Sequence, residues 1–211
     1  MKFSRIIFAA IAGLVICSSN MVSAQNPSVP DRNKISAVSR DTYKTLLDKF
    51  VDGRTLTGDD MAVVYYGAAL QPGFNADRRY TALLSAYDAG DMAKVYTLVT
   101  EALKSDPTNL MLLFKAYASA SVSTDSAIKA LAPKYQTRLL QVCDLILNSG
   151  LGVSESSPYL VIRPSDRDEF VAKYLQPVAV EGQARIGSLD AVKLKLENIP
   201  DDVILYFSTF K

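Results

Sequence analysis

The helical periodicity of the apolar residues constrains this chain more than any other feature of its sequence. Between residues 35 and 148, apolar side chains recur three and four positions apart, the spacing of helices with one buried face. The stripes are Tyr43-Leu46-Leu47-Phe50, Met61-Val64-Tyr65-Ala68, Tyr80-Leu83-Leu84-Tyr87, Val95-Leu98-Val99-Ala102-Leu103, Leu110-Leu113-Phe114-Tyr117 and Tyr135-Leu139-Val142-Ile146. Turns rich in Gly, Pro and Asp separate them, so we expect six main helices with short connections, packed antiparallel.

The first of these stripes is repeated. Residues 43 to 50, followed by Gly53, recur as residues 80 to 87, followed by Gly90, at a constant offset of 37 residues. The second copy ends in an Asp-Pro-Thr-Asn turn at 106–109 and resembles a tetratricopeptide repeat, whose helix pairs are closed by a proline after about 34 residues. We therefore expect tetratricopeptide-like stacking of helical hairpins.

The helical spacing of apolar residues ends at Gly150, and a different pattern follows. Residues 151 to 158 are rich in Ser and Gly and indicate a long turn, and residues 159 to 162 form a short apolar strand. Ser165 is placed to cap a helix, with Asp168 closing a capping box, and Pro177 ends that helix. Three further strands are indicated: one that starts at 178, one around 192 to 196, where apolar and charged residues alternate, and one over 203 to 210.

These patterns predict an α+β protein, with N-terminal tetratricopeptide-like helical hairpins followed by a small antiparallel sheet with one helix. The expected segments are a signal peptide at 1–24, a flexible leader at 25–34, a helical domain at 35–150 and a small α+β domain at 151–211.

The first residues carry the features of a secretory signal peptide. Lys2 and Arg5 precede an apolar stretch from Ile6 to Ile16, which is too short to cross a hydrocarbon core of about 30 Å. Small residues lead up to Ala24, so cleavage is expected between Ala24 and Gln25. The chain is therefore predicted to be exported, periplasmic or secreted, with no transmembrane span.

Cys17 raises an alternative, because a cysteine that follows such a stretch is acylated in bacterial lipoproteins. The bulky Ile16 before it does not suit that processing, and simple cleavage is favoured. Cleavage leaves 21 basic and 22 acidic side chains, a formal net charge of −1, so nothing indicates nucleic-acid binding.

Missing residue types exclude several chemistries. The chain has no His and no Trp, which removes His-dependent catalysis and His metal sites, and we expect no cofactor and no metal. After cleavage Cys143 would be the only cysteine, and its apolar neighbours indicate a buried small side chain rather than a nucleophile. The acidic pairs at 59–60, 88 with 91, and 201–202 fall at helix starts or turns, where Asp caps backbone N–H groups.

Tyr65-Tyr66-Gly67 is the most specific local feature. Adjacent residues of a helix point about 100 degrees apart, so Tyr65 joins the core stripe while Tyr66 faces a groove or solvent. The plain interpretation is core packing with a bonded hydroxyl. The functional one is a recognition groove lined by Tyr66 and Gln71, with Tyr65 beside them.

The segment Leu-Thr-Gly-Asp-Asp at 56–60, followed by Tyr65-Tyr66-Gly67 and Gln71-Pro72, resembles the signature of the exported bacterial family called domain of unknown function 4919. The tail is similar to that family's as well, from the Ser-rich turn at 154–158 to the final Tyr206-Phe207 strand. The resemblance covers most of the mature chain. It implies export and this architecture, and it supplies no catalytic residue.

Stacked hairpins together with few catalytic groups favour a non-enzymatic exported protein that binds a protein or peptide of the bacterial envelope. The alternative is an envelope glycan-binding protein or a carboxylate-based hydrolase. A buried Asp/Glu pair in a closed pocket would favour the alternative, whereas an open groove lined by Tyr and aliphatic side chains would favour peptide binding. The oligomeric state is left open by the sequence.

Overall fold

The computed structural model describes residues 29–197 and 199–210. The predicted signal peptide, its cleavage between Ala24 and Gln25, the alternative at Cys17 and the first four residues of the predicted leader lie outside these residues.

Helices occupy most of the chain up to residue 147. Their bounds are α1 Arg32–Ser36, α2 Arg40–Val51, α3 Gly58–Ala68, α4 Thr81–Asp88, α5 Met92–Ser105, α6 Leu110–Ser121, α7 Ser126–Lys129 and α8 Ala132–Leu147. The six predicted stripes correspond to α2, α3, α4, α5, α6 and α8, so the sequence prediction of the main helices is confirmed.

Side-chain caps explain where several helices begin. The side-chain oxygens of Thr57, Asp91 and Asn109 each accept the backbone N–H three residues on, at the starts of α3, α5 and α6. Gly53 and Gly90, the glycines of the predicted repeat, follow α2 and α4 with φ of +78° and +74°. A side chain is disfavoured in that left-handed conformation, so both copies of the repeat end their first helix in the same way.

Helix α6 lies at the centre of the helical part. Every residue from Leu110 to Ala120 is buried, because α5, α8 and the segment after residue 163 pack around it. Such all-round burial is typical of a core helix rather than of a surface helix with one apolar face.

In the described residues, four strands form one sheet in the order β1-β4-β3-β2: β1 Tyr159–Val161, β2 Ala179–Ile186, β3 Leu189–Lys195 and β4 Val203–Thr209. The protein is therefore α+β, as predicted. The expectation of a purely antiparallel sheet is wrong, since β1 pairs parallel to β4. A helix and a hairpin separate these two strands along the chain, and only such a long connection permits parallel pairing.

The segment after β1 also differs from its prediction. Helix α9 spans Pro164–Glu169 and continues as a π-helix over Phe170–Leu175, which ends before Pro177 as expected. No side-chain cap is formed at its start, so the predicted capping box of Ser165 and Asp168 is wrong. Asp168 instead accepts two hydrogen bonds from Arg167.

One apolar cluster joins the helices to the sheet. It includes Phe50 and Val142 of the helices together with Phe170, Leu194 and Phe207 of the C-terminal part. Within the described ranges, no helix combines the length and the apolar character that a membrane span requires.

Candidate functional site

Both tyrosines of the predicted groove are buried. Tyr65 and Tyr66 are each 0% exposed, so the expectation that Tyr66 faces a groove or solvent is wrong. Its ring packs against that of Phe210, with centroids 4.9 Å apart, and its hydroxyl donates a hydrogen bond to the carbonyl oxygen of Leu160 at 3.2 Å. The sheet covers the face of α3 that a helix in isolation would expose.

That contact covers one edge of the sheet. Leu160 is the middle residue of β1, and within the described part of the chain β1 pairs with a strand on one side only. On its other side the Leu160 N–H donates to Ser149 Oγ at 2.8 Å, and the Leu160 carbonyl accepts from Tyr66. Side chains of the helical part thus satisfy the backbone groups that a missing strand would have bonded, and we call this side of the sheet the closed edge.

Tyr65 belongs to a buried cluster of charged groups. Its hydroxyl donates to Asp166 Oδ2 at 2.8 Å, and the Leu110 N–H at the start of α6 donates to Asp166 Oδ1 at 3.0 Å. Arg163 Nη1 donates to Asp166 Oδ2 at 3.1 Å. Asp166 is 0% exposed and Arg163 is 1% exposed, so this ion pair is removed from solvent.

Arg163 bridges to a second carboxylate. Its Nη2 donates to Asp106 Oδ1, and Asp106 Oδ2 also accepts from Tyr80 Oη and Asn109 Nδ2, each at 3.0 Å. Burial alone would lower the pKa of Arg163, but Asp166 and Asp106 raise it above its usual value. The arginine is therefore a fixed cation with a carboxylate on each side. Both carboxylates are fully engaged, which makes the cluster a clamp between the two parts of the chain rather than a proton-transfer pair.

Gln71 lies beside this clamp. It is half-buried and lines a cavity of about 210 Å³ together with Tyr43, Asp106 and Arg163, and its Nε2 donates to the Gly67 carbonyl at 3.1 Å. The three predicted site residues are thus distributed over three places: Tyr65 in the clamp, Gln71 in the cavity next to it, and Tyr66 on the closed edge.

A larger open groove runs between α6, α8 and the π-helix. Its volume is about 400 Å³, and aliphatic and aromatic side chains provide most of its wall. We call it the leucine groove; its lining residues are Leu110, Phe114, Tyr117, Gln136, Leu139, Leu140, Cys143, Asp144, Leu147, Glu169, Lys173, Tyr174 and Leu175.

Charged groups accompany this apolar wall: the lining includes two carboxylates and the ammonium group of Lys173, and a second ammonium group, that of Lys115, lies beside it. Glu169 Oε1 lies 3.7 Å from Lys115 Nζ, while its Oε2 is buried without a hydrogen-bond partner among the described residues. Asp144 Oδ1 accepts from Tyr174 Oη at 3.1 Å, and Lys173 Nζ lies 5.3 Å from the Phe114 ring centroid. Burial raises the pKa of both Glu169 and Asp144. The groove can therefore hold an apolar side chain and accept a hydrogen bond beside it.

Metal binding and thiol chemistry have little support in the described part of the chain. No group of His, Cys, Asp and Glu there is arranged to hold a metal ion. Cys143 is a free thiol that is 2% exposed, and burial raises its pKa well above the usual value, so it is the buried small side chain that its neighbours predict.

Sequence reasoning missed Arg163, Asp166 and Glu169. One signal was present: Arg163 directly follows the apolar run 159–162, where a charged residue at the end of a buried strand needs a partner. Its partners lie 57 residues away at Asp106 and three residues away at Asp166, and only the fold brings the first of them near.

Comparison with known proteins gives one family. A family model with the description "Domain of unknown function (DUF4919)" matches residues 32–211. Searches of curated proteins and of solved structures each find no match.

Proposed function

Because the chain belongs to the DUF4919 family, whose description names no activity, we propose from its geometry that it is a non-enzymatic, exported peptide-binding module of the bacterial envelope. The observation that carries this proposal is the leucine groove, whose apolar lining includes Glu169, a residue with one carboxylate oxygen, Oε2, that is buried without a partner among the described residues.

The size and lining of the groove suit a peptide side chain. A cavity of about 400 Å³ accommodates one or two aliphatic residues, and a wall of leucines with Tyr117 and Tyr174 offers contact area without demanding one fixed ligand shape. Leu147, at its mouth, is 36% exposed, so part of this wall contacts water in the free protein. Covering that surface would favour binding by about 25 cal/mol per Å² of apolar area.

The polar groups define the rest of the ligand. Leaving a buried carboxylate oxygen without a hydrogen bond costs about 1–3 kcal/mol, and a donor on the ligand would remove that cost. Lys115 already pairs with Glu169 Oε1, so Glu169 Oε2 is the carboxylate oxygen left to satisfy, and a ligand that carries a charged N–H donor suits it. We propose a peptide with an aliphatic residue followed closely by Lys or Arg.

Export forms part of the same proposal, and the N-terminal sequence supports it through Lys2, Arg5 and the small residues before Ala24. The intact mass of the protein recovered from the envelope fraction tests it. A chain beginning at Gln25 is expected. A diacylated chain beginning at Cys17 would contradict this prediction and show that the protein is anchored by lipid.

One observation favours a second function. Asp144 and Glu169 line the same groove and both have raised pKa values, which is the arrangement expected for a carboxylate-based hydrolase or a glycan-binding protein. Asp144, however, is held by Tyr174 Oη, and the walls are aliphatic, so we favour the peptide.

A peptide-display experiment tests the groove. A random library selected on the purified protein should converge on peptides that pair an aliphatic residue with a basic one. Leu147→Lys places a charge in the groove mouth and should abolish their binding. Leu131→Lys is the matched control, since Leu131 is 38% exposed and does not line the groove.

Equal loss of binding in both variants, or peptides without a shared pattern, would contradict the peptide proposal. Hydrolysis of an envelope glycan that disappears in Glu169→Gln would replace it with the second function.

A further inference from the structure

Strand β2 forms the edge of the sheet opposite β1, and nothing in the described part of the chain covers it. It pairs only with β3, and each residue from Val180 to Ile186 is exposed. Two of them are large apolar side chains: Val180 is 47% exposed and Ile186 is 42% exposed. We call this side of the sheet the open edge.

The hairpin geometry indicates which backbone groups face outward. The two-residue turn Gly187-Ser188 closes on the pair Ile186↔Leu189, and such a turn closes on a hydrogen-bonded pair. Bonding to β3 then alternates along β2, so the N–H and C=O groups of Gln183 and Arg185 point away from β3. Glu181 has no opposite residue, because the register shifts between Val180 and Gly182.

Edge strands usually carry features that prevent further pairing, such as proline, a central lysine, an inward-pointing charge or a β-bulge. Between Ala179 and Ile186 there is no proline and no lysine, and the bulge at Glu181 leaves the regular segment 182–186 free of such features. The two charges present, Glu181 and Arg185, have opposite signs and lie at equal distances in sequence from Gln183. This symmetry matters because two identical strands that pair antiparallel about a twofold axis place residues at equal distances from the axis opposite each other.

We propose that β2 pairs antiparallel with β2 of a second copy of this chain, with the twofold axis at Gln183. In this register Glu181 faces Arg185 of the second copy and Val180 faces its Ile186, and each pair occurs twice. The outward backbone groups of Gln183 then bond those of the second copy, the outward groups of Arg185 lie opposite Glu181, and the two four-stranded sheets become one continuous sheet. Opposite charges and apolar pairs directly across strands are both stabilising.

The present contacts of Arg185 allow this exchange. Its Nη1 lies 3.1 Å from Asp190 Oδ1, and its side chain is 58% exposed, so the pair is close to solvent and weak. Asp190 Oδ2 also has a second partner, Arg167 Nη1, at 2.9 Å. Arg185 can therefore turn toward Glu181 of the second copy without leaving Asp190 unpaired.

Charge reversal tests the register, with sedimentation equilibrium as the measurement. The purified protein should show a monomer–dimer equilibrium. Glu181→Arg alone or Arg185→Glu alone places like charges opposite each other twice, and each should weaken the dimer by about tenfold or more. An equimolar mixture of the two variants should restore the dimer, because every charge then faces the opposite sign.

Lys44→Glu serves as the matched control. It reverses an exposed charge on α2, whose Lys44–Asp48 pair resembles the Arg185–Asp190 pair in length, and it should leave the dimer unchanged. Circular dichroism of each variant confirms folding.

Three results would overturn the proposal. A protein that stays monomeric up to about 1 mM has no such interface. A dimer that neither single reversal weakens is formed elsewhere, and a dimer that the mixture does not restore has another register. Peptide binding in the leucine groove does not depend on these outcomes, because no residue of β2 lines that groove.

Discussion

Each edge of the sheet has backbone N–H and C=O groups without a strand partner, and the two edges treat these groups in opposite ways. At the closed edge, Tyr66 and Ser149 bond the free backbone groups of Leu160, and the clamp around Arg163 follows directly after the strand. At the open edge, no other strand among the described residues bonds the outward groups of β2. One edge is thus tied into the helical part of the fold, whereas the other is left unpaired within residues 29–197 and 199–210.

The same two residue types form an ion pair at each edge, but the two pairs differ in how much they contribute to stability. Each edge has an arginine paired with an aspartate about 3.1 Å away, Arg163 with Asp166 and Arg185 with Asp190. Side-chain exposure is 2% for Arg163 and 58% for Arg185. Distance alone therefore does not indicate what an ion pair contributes, because solvent screens only the exposed pair.

Replacing these two arginines should give the largest contrast. Arg163→Met leaves Asp166 and Asp106 buried without their cation, so the free energy of unfolding should fall by about 3–5 kcal/mol. Arg185→Met should lower it by less than about 1 kcal/mol. Urea denaturation of the monomeric protein measures both, and similar losses would contradict the distinction between the edges.

Removing one hydroxyl tests the closed edge more finely. Tyr66→Phe leaves the Leu160 carbonyl buried without its donor, and we expect a loss of about 1–2 kcal/mol in the free energy of unfolding. Tyr206→Phe on the outward face of β4 is the control, since its hydroxyl has no hydrogen bond within the described residues, and its loss should stay below about 0.5 kcal/mol. If the control were as damaging as Tyr66→Phe, the Leu160 contact would not be what stabilises this edge.

Alkaline pH should destabilise the fold by ionising tyrosines that lie near the clamp. Burial raises the pKa of Tyr43 and of Tyr80 from 10.0 to about 12, and both tyrosines lie near Asp106. A raised tyrosine pKa means that the folded state disfavours the tyrosinate, so this contribution to stability is complete below about pH 10 and is lost as the pH rises through about 12.

Urea midpoints across that pH window measure this effect. In a double variant with Tyr43→Phe and Tyr80→Phe the decline with pH should be shallower. An identical decline in the double variant would assign the pH dependence to other groups.

The smallest expected effect is at the open edge. Val180→Thr changes a side chain that is already 47% exposed, and the free energy of unfolding should change by less than about 0.5 kcal/mol. Val161→Thr makes the same change on β1, where the side chain is 1% exposed, and should cost about 1–3 kcal/mol because the hydroxyl enters a site filled by apolar groups. Thermal unfolding of the two variants compares the losses of stability. Equal shifts in melting temperature would mean that the edges do not differ in packing.

Local signals were sufficient to predict the helices. Apolar spacing depends on residues close in sequence, and the six main helices lie where the stripes indicate. The same holds for the glycines that end α2 and α4, whose positive φ the turns require.

Contacts between distant residues account for what the sequence did not predict. The helical spacing around Tyr66 implies one buried face, but α3 lies between other helices and β1, and the partner of the Tyr66 hydroxyl is 94 residues away. Asp166 reads locally as a first-turn acid of a helix, yet it is buried against Tyr65 and Leu110. The parallel pairing of β1 with β4 likewise has no local signature.

That parallel pairing determines the order in which the molecule can be completed during synthesis. Among the described strands, β1 pairs with β4 alone, and β4 leaves the ribosome after the other three, whereas β2 and β3 form a hairpin as soon as both have emerged. A nascent chain stalled before residue 203 can therefore hold its helices and the hairpin, but its closed edge must wait for the final segment. Such a chain stays without its full sheet until β4 has emerged.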